Sequence, residues 1–143
     1  MRVDLAEGQE LTLPARRSKH DAILTTVETT VRAEIGALTS EGRVLRFSPV
    51  DLPSVPSSSV QLAAGAPLRD YLGITIRGER ILGFVRFDSD VPIAMGTAQG
   101  TVKRIVPSTL PVRPDLEVIG MKPGDTVVGA VEAQDDADLV FVT

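Results

Sequence analysis

Gly78-Glu79-Arg80-Ile81-Leu82-Gly83-Phe84-Val85, running on to Ile93-Ala94-Met95-Gly96-Thr97, has two further copies in this chain, and that recurrence decides the fold. A shift of 46 residues without a gap places Gly124-Asp125-Thr126-Val127-Val128-Gly129-Ala130-Val131 beneath it, ending Leu139-Val140-Phe141-Val142-Thr143. A shift of 58 the other way gives His20-Asp21-Ala22-Ile23-Leu24-Thr25-Thr26-Val27, ending Ile35-Gly36-Ala37-Leu38-Thr39. In each copy an acidic residue precedes two aliphatics, a Val follows, and a Thr closes the unit. Beyond that Thr, Ser40-Glu41-Gly42-Arg43-Val44-Leu45-Arg46-Phe47 matches Ala98-Gln99-Gly100-Thr101-Val102-Lys103-Arg104-Ile105.

Repeat periods of about 40–50 residues built from strand-like pieces point to propellers and related blade arrays. The units run over residues 20–77, 78–123 and 124–143, the last truncated, with residues 1–19 reading as the tail of a preceding blade. Ile81 to Arg86 and Ile93 to Thr97 are short apolar runs of strand length. Thr39-Ser40-Glu41-Gly42 and Thr97-Ala98-Gln99-Gly100 read as type I turns with Gly in the left-handed position, leading into strands at 43–47 and 101–106. No segment has helical periodicity, and the Ala-rich stretch 63–66 is interrupted by Gly65 and Pro67. The first unit is longer than the second by 12 residues, and the addition falls in a Pro/Ser-rich connection read as a surface loop. Thr143 takes the place of Thr39 and Thr97 without a hairpin partner. The expectation is a fragment of a longer protein, or a partner strand from another chain, a homodimer of the fragment included.

Composition sets the class. A chain of 143 residues, 43% hydrophobic and 24% charged, is one domain with enough apolar material for a core. Val, Ile and Thr supply 38 residues, a β-rich bias. No window approaches the roughly 18 apolar residues of a membrane span, and no signal-peptide pattern opens the chain, so a cytoplasmic location is expected. Without cysteine there is no disulfide framework, thiolate metal site or thiol nucleophile. Aromatics at 3% argue against base-stacking platforms. The net charge of −4 is uneven: residues 1–113 hold 14 basic and 12 acidic residues, whereas 114–143 hold one basic and seven acidic. Steering of a polyanion depends on such local patches.

The combination Thr-Ser-Glu-Gly-Arg-Val-Leu-Arg-Phe (39–47), Gly-Thr-Ala-Gln-Gly-Thr-Val-Lys-Arg-Ile (96–105) and Gly-Asp-Thr-Val-Val-Gly-Ala-Val (124–131) resembles the C-terminal repeats of bacterial type IIA topoisomerase A subunits, those of DNA gyrase and topoisomerase IV. The resemblance covers about residues 20–143. It implies an all-β, propeller-like β-pinwheel whose blades exchange strands, here about three blades of a fuller disc. It further implies a non-catalytic module, nucleoid-associated in the cytoplasm, that binds and bends double-stranded DNA on a basic outer rim and presents it for strand passage. The implied partners are duplex DNA, the remainder of the A subunit and the ATPase B subunit. ATP and magnesium belong to the holoenzyme, with no cofactor in this domain. The gyrase Gln-Arg-Arg-Gly-Gly-type box has no counterpart in the connection 53–65, which carries no positive charge, so gyrase and topoisomerase IV activities stay open.

Read from the residues, the case for DNA rests on recurring arginines. Arg46 and Arg104 align between units and share a strand face with Val44 and Val102, while Arg43 and Lys103 lie on the opposite face, so both faces are not expected to be core. Arg16, Arg17, Lys19, Arg77, Arg80 and Arg86 extend the candidate rim. Planar guanidinium forks suit phosphate oxygens and position a duplex without reading its bases. The alternative for these charges is edge protection by solvated side chains. The chain's single histidine, His20, supports no triad or two-His metal site. Tyr71, the one tyrosine, matches no cleavage motif and reads as packing. Gln134 to Asp138 lacks the ligand spacing of a calcium loop and reads as a turn. A protein-binding repeat scaffold is the runner-up, favoured by the acidic segment 114–143.

Overall fold

A computed structural model describes residues 1–13, 23–60 and 65–142. Its strands are β1 (Arg2–Asp4), β2 (Ile35–Thr39), β3 (Arg43–Phe47), β4 (Ser54–Pro56), β5 (Ile81–Arg86), β6 (Ile93–Thr97), β7 (Val102–Ile105), β8 (Asp115–Glu117) and β9 (Val127–Glu132). They form a four-stranded sheet in the order β5-β2-β3-β8, a three-stranded sheet in the order β7-β6-β9, and a parallel pair β1-β4. The regular structure is therefore mostly strand, in sheets that do not close on themselves among the described residues. One helix departs from the sequence reading: α1 (Leu68–Tyr71), a single turn in the longer connection of the first unit.

The two hairpins form where the turn residues place them. Gly42 and Gly100 adopt φ of 72° and 84°, a region a Cβ disfavours, and each donates its N–H to the Thr carbonyl three residues earlier at 3.0 Å. The repeat is then reproduced in pairing. β5 pairs antiparallel with β2, Ile35 opposite Arg86 and Thr39 opposite Ile81, with a register shift between Leu38 and Thr39. β9 pairs with β6 in the same way, Ile93 opposite Glu132 and Thr97 opposite Val127, with the shift between Gly96 and Thr97. The second and third units thus each lend their first strand to the hairpin of the unit before. A slip of one residue would turn every side chain to the other face, so this shared register reflects the shared sequence pattern.

The repeat also reaches further than the sequence reading took it. Single 3₁₀ turns at Pro49–Asp51 and Pro107–Thr109 occupy equivalent places, closed by Leu52 N–H to Pro49 O and Leu110 N–H to Pro107 O, both at 3.1 Å. The signal is Pro-x-x-Leu-Pro, present at 49–53 and again at 107–111. The 12 extra residues consequently fall beyond Pro56, where α1 lies.

Two apolar clusters hold the first sheet. On one face Leu38, Val44, Val85 and Leu116 pack with Ile93, Met95, Ile105 and Val127 of the second sheet. On the other, Ile35, Ala37 and Phe47 meet Leu52, Leu68, Leu72 and Phe84. β2 is buried at every position and β3 at Val44, Leu45 and Phe47. This corrects the expectation that only one face of these strands is core: α1 and its flanking connection cover the second face.

The outer copies form less regular structure. Ile23 to Val27 and Leu139 to Val142 carry no strand. Residues 2–4 pair with β4, and the Arg2 guanidinium donates to the carbonyls of Pro49 (3.1 Å) and Val50 (2.9 Å), joining this segment to the first unit.

Candidate nucleic-acid interface

The acidic residues that open the second and third units, Glu79 and Asp125, each meet the Thr-x-x-Gly turn of the unit before. Glu79, its side chain fully buried, accepts two hydrogen bonds from Arg43, from Nε at 2.8 Å and Nη2 at 2.7 Å. The same guanidinium reaches Asp115 of β8 through Nη1. The Arg43 fork, with a further hydrogen bond to Thr39, holds the Glu79 carboxyl below its ordinary value despite burial, and the Arg43 pKa is raised in turn. Arg69 donates to the carbonyls of Glu79 and Ile76, fastening the connection that carries Glu79.

In the next unit Asp125 takes the place of Glu79, and Thr101 that of Arg43. Asp125 Oδ1 accepts the N–H groups of Gln99 (3.0 Å) and Thr126 (2.9 Å), while Oδ2 is buried with no hydrogen-bond partner among the described residues. Burial opposes its ionisation, and the polar surroundings, the nearby Thr97 side chain first and then the N–H groups of Gln99 and Thr126, outweigh that and lower its pKa. The long acid accompanies an arginine and the short one a threonine. This correlated difference between units, visible in the sequence, is the signal that Arg43 belongs to an internal lock.

The other predicted cations divide into engaged and free. Arg46 binds Glu34 through Nη1, and its guanidinium lies 3.8 Å from the centroid of the Phe87 ring, with only 11% of the side chain exposed. Arg104, aligned with it, is 48% exposed and bonds Asp135. Arg86 makes two bonds of 3.0 Å to the Asp88 carboxylate. Arg77, Arg80 and Lys103 are exposed and have no carboxylate within ion-pair distance among the described residues. Arg16, Arg17 and Lys19, like His20, lie outside the described residues.

An open groove of about 510 Å³ runs beside β3 and is lined by Arg43, Arg46, Phe47, Tyr71 and Asp115. Tyr71 stands edge-on to Phe47 with ring centroids 6.0 Å apart, and burial, then the Asp51 charge, raises its pKa. Packing accounts for this residue. Gln134 to Ala137 closes a turn with a backbone bond of 3.1 Å. Among the described residues no cluster of three or more His, Cys, Asp or Glu side chains could hold a metal ion, and no helix is long and apolar enough to cross a membrane. No family model matches this chain, and a search of curated proteins finds no match.

Proposed function

We propose that this chain is part of a β-pinwheel that binds and bends duplex DNA without catalysing a reaction, as the C-terminal repeats of type IIA topoisomerase A subunits do. The observation that carries the reading is the twice-repeated loan of a strand to the preceding hairpin, in one register and with one bulge position. Strand exchange between blades is what the sequence resemblance implies, and the step from architecture to DNA is by analogy of fold. Of the predicted rim cations among the described residues, Arg77, Arg80 and Lys103 are available to phosphates, with Arg86 and Arg104 able to trade an exposed carboxylate for one. Exposed ion pairs are worth about 0–1 kcal/mol, so such an exchange costs little.

The test is bending of an end-labelled duplex of about 30 base pairs, read by energy transfer between the ends. Smooth bending of such a site costs about 1–6 kcal/mol, which the phosphate contacts must offset. Closer ends on addition of the protein support the reading, and bound but straight DNA opposes it.

A second reading, a protein-binding repeat scaffold within the same architecture, is favoured by a specific observation. Arg2, Arg43, Arg46, Arg86 and Arg104 are all neutralised by carboxylates of the chain itself. Absence of duplex binding at low salt would favour it.

A further inference from the structure

The second sheet docks on the first through one of its faces. Ile93, Met95, Ile105, Val127 and Ala130 pack there against Leu38, Val44 and Val85 of the first sheet. The shifts of 58 and 46 residues that align the units carry those five positions onto Ile35, Ala37, Phe47, Ile81 and Phe84. These residues form the second apolar cluster, on the opposite face of the first sheet. The face that meets a sheet in one unit is therefore repeated in the unit before it. There Leu68 and Leu72 of α1, with Val27 and Leu52, meet it in place of a sheet.

The residues of that face differ in a way that fits the cover. Where the second sheet has Met95, Ile105 and Ala130, the first has Ala37, Phe47 and Phe84. The two Phe rings stand 6.0 Å apart, and Tyr71 of α1 meets Phe47 edge-on at the same spacing, an arrangement aromatic rings favour. Three of the chain's five aromatic residues gather at this contact. α1 itself lies in the 12 residues by which the first unit exceeds the second. Face and cover have changed together, so the cover belongs to the unit.

The cover is also lightly attached. The N–H groups of Tyr71, Leu72, Gly73 and Ile74 bond carbonyls within residues 67–70, and none of these bonds joins a strand. Arg69 ties the turn to the connection ahead of β5, through the carbonyls of Ile76 and Glu79. No residue of α1 is fully buried. Segments held by few buried contacts open locally, ahead of the sheets they cover.

We propose that α1 is an end cap, which closes with the first unit's own chain the face through which one sheet of the array docks on another. Repeat arrays need such caps where a continuous apolar core ends. Blades then add to the first unit from one side only, and a disc containing it is open at this face while the cap is closed. The proposal rests on the repeat geometry and not on DNA binding.

The test is amide hydrogen exchange of the whole chain, for wild type and Leu68→Ser/Leu72→Ser, beside sedimentation and the fluorescence of the apolar dye anilinonaphthalene sulfonate. In wild type the amides of Leu72, Gly73 and Ile74 should exchange at least about tenfold faster than those of β2, because the cap opens alone. In the variant they should quicken by about a further tenfold to hundredfold, while the second sheet on its other face keeps β2 protected. The uncovered face should then bind the dye and associate more than wild type does at equal concentration. Three results overturn the proposal. The first is α1 amides as protected as those of β2 in wild type, which would make α1 part of one cooperative core. The second is loss of β2 protection together with that of α1 in the variant. The third is a loosened α1 with neither dye binding nor added association, which would show that the face beneath it accepts no partner.

Discussion

Replacing Glu79 by Gln removes the negative charge that the Arg43 fork grips and leaves the shape of the side chain nearly unchanged. Removing one partner of a buried ion pair costs about 3–5 kcal/mol, because the other charge is left desolvated. Arg43 is 21% exposed and keeps its bond to Asp115, so part of that cost is recovered and about 2–3 kcal/mol is expected. This is a large share of the roughly 5–15 kcal/mol that holds a domain together. Urea unfolding at pH 7 measures it. The pH dependence supplies a second reading of the same lock. Arg43 depresses the Glu79 pKa below its ordinary value of 4.5 in the folded state, so the stabilisation is complete above that value and is lost as pH falls through the depressed one. The gap between wild type and variant should therefore be full at pH 7 and shrink on acidification below 4.5. Asp115→Asn removes a carboxylate whose side chain is 52% exposed and should cost under about 1 kcal/mol. A Glu79→Gln cost equal to that of Asp115→Asn, or one that does not change with pH, would refute the lock.

The remaining predictions exploit equivalent positions. Gly42→Ala and Gly100→Ala both place a Cβ at positive φ, costing about 1 kcal/mol each, but only Gly42 lies under Ile119, so thermal unfolding should show it as the more damaging by about a further 1–2 kcal/mol. A Cβ at Gly36 would overlap Val44 Cγ1 in the core, and one at Gly96 would overlap the half-exposed Phe141 ring, which can swing away. Gly36→Ala should cost about 1–3 kcal/mol by urea unfolding and Gly96→Ala well under 1. The double variant Arg43→Thr/Glu79→Asp copies the Thr101/Asp125 set and should be more stable than the sum of its single variants predicts, with a coupling of about 1–2 kcal/mol in a double-mutant cycle.

Strands were legible wherever the pattern is local. Ile81–Arg86, Ile93–Thr97 and Arg43–Phe47 form over the residues where apolar runs and Gly turns place them, because a hairpin is specified by its own few residues. α1 was not legible, since one helical turn has no periodicity and is held by Leu68 and Leu72 packing under the first sheet. Burial of both faces of β2 followed from that same connection, which a strand's own alternation cannot announce. Among the candidate cations the repeat alignment found Arg46 and Arg104 but could not show that Phe87 and Glu34 enclose the former. The roles of Arg43 and Glu79 were readable in principle, from the Arg/Glu set in one unit against Thr/Asp in the next. Which arginines are neutralised depends on contacts between residues far apart in sequence, such as Arg43 with Asp115, and no spacing rule reports those.

DNA binding itself is tested most directly by the affinity for a duplex of about 30 base pairs across a salt series, for wild type and for Arg77→Gln/Arg80→Gln/Lys103→Gln. These three side chains are exposed and take no part in the Glu79 lock, so the variant should stay folded. Each phosphate neutralised contributes about −0.9 to the slope of log affinity against log salt, so the slope should flatten by about 2–3 in the variant. A wild-type affinity that does not respond to salt, or a slope unchanged by the triple substitution, would contradict a phosphate-binding surface built from these residues.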